Sequence, residues 1–276
     1  MQTLIKRTIT GLLFTSITIG GIYASPYTFL ALFALISVLC LREYLGIVLH
    51  RESPQRGLRL FMGFVLGLAP VAISIGWVWP EGRVEGLDFS QIALVVLVMG
   101  AFITEMFSRS ERPIESVASL VLGMLYIGVP FALLNLIAFE GGEYHPHLVF
   151  SLLLLTWMND TAAYVFGSLW GKRPLFPRIS PKKTWEGTLG GVVATLLFSF
   201  ALAYWFPEWS GLDWFVLAFI VVLFGSLGDL VESMLKRSYH KKDSSALLPG
   251  HGGLLDRFDS FIFMLPFAAA YLIWLT

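Results

Sequence analysis

The sequence is short of charge. Asp, Glu, Lys and Arg make up 14% of its 276 residues, against about 25% in soluble domains, so a water-soluble globular protein is excluded. Cysteine is almost absent. The one copy, Cys40, lies in an apolar run, which rules out a disulfide framework and reads as a small buried apolar side chain. Net charge is zero, so the chain as a whole gives no sign of a nucleic-acid partner. Internal repeats and low-complexity segments are missing. So are the paired broken helices of an inverted-repeat transporter, the G-x-x-x-x-G-K-[ST] spacing of a Walker P-loop and the Cys/His spacings of zinc sites.

Long apolar runs are what remains. Mean hydropathy is +0.74, and nine runs suit membrane spans of about 20 residues: 5–23, 27–49, 58–79, 89–107, 114–138, 147–169, 186–206, 213–235 and 260–275. They are continuously apolar, which excludes the alternating strands of a β-barrel. Lys6 and Arg7 before the first run could open a signal peptide, but no convincing cleavage site follows, so the first helix is expected to be retained. With the N-terminus inside, all Lys and Arg except Arg83 fall on inner segments or, for Arg42, near the inner end of the second span. The expected outer loops hold Glu81, Glu85, Asp88, Glu140, Glu143, Glu208 and Asp213. This asymmetry predicts an N-in, C-out topology. Trp77, Trp79, Trp205, Trp209, Trp214 and Trp274 fall near outer span ends, as interfacial anchors do. The expected fold is all-α, a polytopic membrane helix bundle of about nine helices. It forms one integral membrane domain over 1–276, with N-terminal spans in 1–138 and the polar loops and acid-bearing spans in 147–276.

Polar residues concentrate in the second half. The sixth span carries Asn159 and Asp160 in apolar surroundings. An ionisable group at such depth costs about 2.5–3.5 kcal/mol and marks a function by default, although Asn and Asp also serve as glue between helices. In the eighth span Asp229, Glu232, Ser233 and Lys236 recur at i, i+3, i+4 and i+7 and share a face. Two acids in low dielectric repel unless one is protonated or a cation is present; pairing of Glu232 with Lys236 is the structural alternative. The stretch Ser233–Asp259 then brings Lys236, Arg237, Lys241, Lys242, Asp243, His251, Asp256, Arg257 and Asp259 together around Pro249-Gly250 and Gly252-Gly253. Gly-rich turns can offer backbone N–H groups to an anion. The basic residues suit phosphate, or anchor the loop beside anionic lipid headgroups, and an acid here could also cap the ninth helix. The second basic loop, Ser180-Pro181-Lys182-Lys183-Thr184, adds two lysines and two hydroxyls before a helix start. Carboxylates with lysines favour a hard cation such as Mg2+, with a second cation as an option. The combination suits phosphoryl or nucleotidyl transfer, which runs on positioning and charge neutralisation.

The Ser233–Asp259 stretch resembles the signature S-x-(apolar)-K-R-x4-K-D-x-(small)-x2-(apolar)-(P or G)-x-H-G-G-(apolar)-x-D-R-(apolar)-D of phosphatidate cytidylyltransferases, the CDP-diacylglycerol synthases, without a departure. Asn159–Gly167 and Ser180–Gly187 look like the companion motifs of that family. The resemblance covers about 157–260; the first five spans show only a compatible membrane character. It implies transfer of a cytidylyl group from CTP to phosphatidate, giving CDP-diacylglycerol and pyrophosphate, with Mg2+, at the cytoplasmic face of a bacterial inner membrane. It implies Asp229, Asp256, Lys236, Arg237, His251 and Asp259 as catalytic residues, with Asp229, Asp256 and Asp160 toward the metal. It further implies Ser180, Lys182, Lys183, Thr184, Lys242, Asp243, Gly252, Gly253, Arg257 and Asn159 toward substrate. His251 could bind or protonate the pyrophosphate, or only brace the turn. Expected partners are CTP, phosphatidate and membrane lipids, with a homodimer as an optional assembly. Two other readings stay open: a CTP-dependent lipid kinase, and an ion-coupled transporter using Asp160, Asp229 and Glu232. The D-G-x2-A-R…G-x3-D-x3-D pattern of CDP-alcohol phosphotransferases is absent.

Overall fold

The computed structural model describes residues 2–49, 55–78, 89–108, 111–250 and 252–275. Arg51, Trp79, Glu81, Arg83, Glu85, Asp88, Arg109 and the site candidate His251 lie outside the described residues.

Among the described residues the chain forms nine helices: α1 Gln2–Ala24, α2 Pro26–Val48, α3 Arg56–Val78, α4 Phe89–Phe107, α5 Pro113–Ala138, α6 Pro146–Trp170, α7 Trp185–Trp205, α8 Gly211–Ser238 and α9 Leu255–Leu275. Each predicted apolar run coincides with one of them, although runs 27–49, 58–79 and 186–206 extend one residue past the helix ends. Eight are long and apolar enough to cross a membrane, and in α1 the apolar part is the shorter Thr8–Ala24. The protein is an integral membrane helix bundle. Helix starts follow local chemistry. Ser25 accepts the Thr28 N–H at 3.1 Å while Thr28 answers the Ser25 N–H at 2.9 Å, a capping box that sets α2 going after a single linking residue. Proline at the first position opens α5 and α6, where its missing N–H costs nothing. Two helices carry one π-turn each, Met124–Gly128 in α5 and Val221–Gly225 in α8.

Among the described residues, the two strands lie in the loop after α6. Pro174–Phe176 (β1) and Ser180–Thr184 (β2) pair antiparallel as a small hairpin, where the sequence suggests an irregular basic loop. Its proximal end is fixed by Glu186, whose carboxylate accepts the backbone N–H groups of Lys172 and Arg173 at 3.0 and 3.2 Å.

The chain divides into two compact units. The first runs to Tyr144 and includes Asp243–Leu255; the second comprises His145–Lys242 and the chain from Asp256 on. The segment 243–255 therefore packs with the N-terminal spans, although in chain order it lies among the C-terminal ones.

In the first unit, small residues of α3 admit α2 and α5. A Cβ at Gly63 would stand 2.7 Å from a Leu45 methyl, and one at Gly128 would strike the Gly67 carbonyl oxygen. Close backbone approach of this kind drives helix association in lipid. The unit also buries polar pairs. Asn135 Nδ2 donates to Ser74 Oγ at 2.8 Å, and Arg59 Nε meets Glu105 Oε1 at 2.6 Å.

In the second unit, α6 and α7 run closest. A Cβ at Gly187 would lie 2.7 Å from the Ala163 carbonyl, and one at Gly191 would lie 2.8 Å from Asn159 Oδ1. Gly228 of α8 similarly admits α9, since a Cβ there would meet Asp259 O at 2.8 Å. Trp214 corrects one expectation. It is fully buried and its indole N–H donates to Phe206 O at 3.0 Å, so it anchors a helix start inside the protein instead of sitting at the lipid interface.

Candidate active site

The α8 face predicted from i, i+3, i+4, i+7 spacing exists and is the scaffold of the site. Lys236 reaches up the face to Glu232, which is fully buried, and across to Asp256 Oδ1 at 2.6 Å. The i, i+4 pairing of Glu232 with Lys236 thus forms, and Lys236 is shared by two carboxylates. One turn above Glu232, Asp229 is met by Lys183 at 2.5 Å and by the Ser233 hydroxyl at 3.4 Å. Lys183 comes from β2, so the hairpin's register carries that lysine to the α8 face.

Two more acids belong to this field. Asp160 on α6 has Asp229, Lys183 and Arg257 as electrostatic neighbours. Asp259, buried at the start of α9, is influenced by Asp229, Glu232 and Asp160. In the contacts of the described residues, the second unit thus brings Asp160, Asp229, Glu232, Asp256 and Asp259 into the field of Lys183, Lys236 and Arg257. Glu232 and Asp259 are buried, whereas Asp160 is exposed and Asp229 partly so. Carboxylates in excess of their counter-charges repel one another, and protonation of a member or a bound cation relieves them. The cluster's donors are all oxygens, the set that suits Mg2+ and not a soft metal, although among the described residues no three acidic, His or Cys side chains converge as a finished metal site. Asp229 and Asp256 each end on a lysine instead.

The remaining predicted residues divide by what their side chains already do. Thr184 caps α7, accepting the Gly187 N–H at 3.2 Å. Asn159 is buried and donates to Ser226 Oγ at 3.4 Å, a contact between helices. Lys182, Lys242, Asp243, Arg237 and Arg257 are exposed, and Ser180 is half-buried. Arg237 is held by the Lys241 carbonyl at 3.0 Å, which orients its guanidinium without neutralising it.

Asp243, Gly252 and Gly253 belong to the first unit, and there the structure shows a residue that sequence reasoning missed. Glu43 of α2 is 7% exposed and takes four hydrogen bonds from the 243–255 segment. Oε1 accepts Ser245 Oγ at 2.6 Å and Leu254 N at 2.9 Å; Oε2 accepts Ser244 Oγ at 2.7 Å and Leu255 N at 2.8 Å. A Cβ on Gly253 would collide with Ser244 Oγ and with the Glu43 carboxylate. Gly252 has φ +81° and Gly250 φ +79°, and Leu248 N–H closes the turn onto Gly252 O at 2.9 Å. The two glycines after His251 thus differ in purpose: Gly252 supplies a left-handed backbone and Gly253 makes room for Glu43. The available signal was an acid inside an apolar span, a pattern already used for Asp160.

A sequence model of the Cytidylyltransferase family matches residues 5–275. The chain belongs to that family. It is 34% identical over 245 residues to the phosphatidate cytidylyltransferase of Staphylococcus haemolyticus (strain JCSC1435), covering 87% of this chain and 88% of the relative. It is 35% identical over 234 residues to the enzyme of that name from Staphylococcus aureus (strain COL), covering 84% and 85%. For Staphylococcus epidermidis (strain ATCC 35984) the identity is 36% over 207 residues, covering 74% and 76%. Family likeness therefore extends over the first five spans, beyond the 157–260 region that the motifs alone indicate. Glu43 lies in that added part.

Proposed function

We propose that the protein transfers the cytidylyl group of CTP to phosphatidate at the cytoplasmic surface of a bacterial inner membrane, forming CDP-diacylglycerol and pyrophosphate. The observation that carries this is the excess of carboxylates over cations along the α8 face, bordered by exposed lysines and arginines and reached from within a membrane helix. A lipid phosphate and a nucleotide triphosphate are both polyanions, and their meeting needs positive charge above and cation-holding oxygen below. The names of the relatives agree with this substrate pair, and the positive-inside distribution of Lys and Arg supports the cytoplasmic face.

In this reading a phosphatidate oxygen attacks the α-phosphorus of CTP, the bond to the β-phosphate oxygen breaks, and pyrophosphate leaves with the electron pair. The phosphatidate phosphate is ionised near neutral pH, so the protein supplies no strong base. Lys182, Lys183, Arg237 and Lys242 bind phosphate oxygens, with Arg257 and Ser180 beside them. Lys236, fixed between Glu232 and Asp256, holds Asp256 at one orientation. Asp229 and Asp160, with Asp256 and Asp259 close by, would hold Mg2+, which supplies neutralising charge on the triphosphate when bound. Binding polyanions in this way lowers the barrier by electrostatic stabilisation and alignment.

Purified protein in mixed micelles, given phosphatidate and CTP labelled at the α or the γ phosphate, tests this. Label from the α position should enter the lipid, and only when Mg2+ is added. Label from the γ position in the lipid would establish a lipid kinase instead. Ion flux in liposomes without CTP consumption would establish a transporter.

A further inference from the structure

We propose that Glu43 is a positioning residue for this reaction: its carboxylate holds the segment 243–255 in the conformation that the substrates meet. The inference rests on the nucleotidyl-transfer reading above.

Three observations carry it. Four groups donate to the Glu43 carboxylate, two on each oxygen, which uses more acceptor capacity than the single oxygen of an amide or hydroxyl side chain would offer there. The donors come from both ends of the segment, Ser244 and Ser245 at one and Leu254 and Leu255 at the other, so the carboxylate closes the segment into a loop across about 200 residues of sequence (43 to 244). Between those ends, among the described residues, the Leu248–Gly252 bridge and the Leu247 N–H on Ser245 Oγ shape the turn, and Asp243, Ala246, Leu247, Pro249 and Gly250 are exposed, so the group that fastens the ends fixes how this surface segment is presented. It contains Asp243, Gly252 and Gly253, and the chain passes from Leu255 directly into Asp256.

Glutamine is the discriminating replacement. It keeps the shape of the side chain but offers one accepting oxygen and one NH2 donor. Each carboxylate oxygen receives one serine hydroxyl and one backbone N–H. A hydroxyl can rotate to accept from NH2, but a backbone N–H cannot, so Glu43→Gln leaves either Leu254 or Leu255 facing a donor whichever way the amide is turned. Losing a charged, buried acceptor commonly changes a rate by about tenfold or more.

The test uses full-length protein with kinetics referred to folded, monodisperse enzyme, and a spin label on Leu247→Cys, the native Cys40 being fully buried. In Glu43→Gln, kcat/KM for CTP should fall about tenfold or more, with both a raised KM and a lowered kcat, and the label should become mobile. The Ser244→Ala/Ser245→Ala double variant keeps the carboxylate and both backbone donors, and should fall only a few-fold. A purely structural Glu43 would reduce yield and melting temperature while leaving kcat/KM per folded molecule and the label spectrum unchanged; that result overturns the proposal. Should Glu43→Gln not fold, the serine double variant decides: unchanged kinetics and an unchanged label spectrum overturn it. Wild-type protein that forms no CDP-diacylglycerol would instead sink the functional reading, and the reaction role of Glu43 with it.

Discussion

The two units use carboxylates in opposite ways. In the first, Glu105 is paired with Arg59 and Glu43 is saturated by four donors from one loop. In the second, Asp160, Asp229, Glu232, Asp256 and Asp259 share Lys183, Lys236 and Arg257. A saturated carboxylate fixes a shape and has no capacity left for a ligand. An under-neutralised cluster does the reverse: it is costly alone, and under the proposed function it would be relieved by positive charge. On that reading the two units differ in their ratio of acceptors to donors, not in polar burial alone.

That contrast can be broken or sharpened by substitution. The largest effect should come from Asp256→Asn, which removes a charge from the cluster without changing size. Turnover should fall by about a hundred- to a thousandfold, with helical circular dichroism unchanged; near-wild-type turnover would remove Asp256 from the machinery. Lys236→Met comes next. It strands Glu232 in full burial and should cost about 3–5 kcal/mol of stability as well as turnover. In Glu232→Leu/Lys236→Met the melting temperature should recover and the turnover should not, separating the lysine's two duties. Gly253→Ala drives a methyl into Glu43 and Ser244, and should lower kcat/KM about as much as Glu43→Gln, roughly tenfold, measured on folded enzyme. Lys182→Ala, at an exposed position, should raise KM for CTP only a few-fold, about 1 kcal/mol or less in an exposed charge contact. At the bottom of the scale is Arg59→Met. It breaks the buried pair with Glu105 and should lower the melting temperature, yet leave kcat/KM of the folded enzyme at wild-type value, since that pair belongs to the scaffold.

Much of this arrangement was legible beforehand, for physical reasons. Lipid demands long apolar helices, so nine runs read from hydropathy reappear as nine helices. Side-chain periodicity is rigid in a helix, so the Asp229–Lys236 face and the Glu232–Lys236 pair could be read from spacing. The hairpin at 174–184 could not, because three- and five-residue strands rich in Pro and Lys carry no alternation signal. Glu43 carries little signal in the sequence: it stands beside Arg42 near a helix end, where charges are ordinary, and its partners lie some 200 positions away. The Thr184 cap on Gly187 is local and in principle legible as an N-cap, whereas the Asn159–Ser226 bond depends on a neighbour that only the fold brings near. Trp214 was assigned to the lipid interface by its place in the chain, which says nothing of the side it faces.

The π-turn at Val221–Gly225 sets the clock for α8. A π-turn holds one residue more than the α-helix would, and each residue of an α-helix advances the side chains by about 100°. The helix thus absorbs an insertion just ahead of Asp229, so that the lower half keeps its own phase. Removing one residue from 221–225 would let the turn relax to plain α-helix with the Asp229–Lys236 face still aimed as it is. Removing one from 226–228 would leave the π-turn in place and swing that whole face away from Lys183 and Asp256. A one-residue deletion is therefore absorbed inside the π-turn and felt by the whole acidic face just after it.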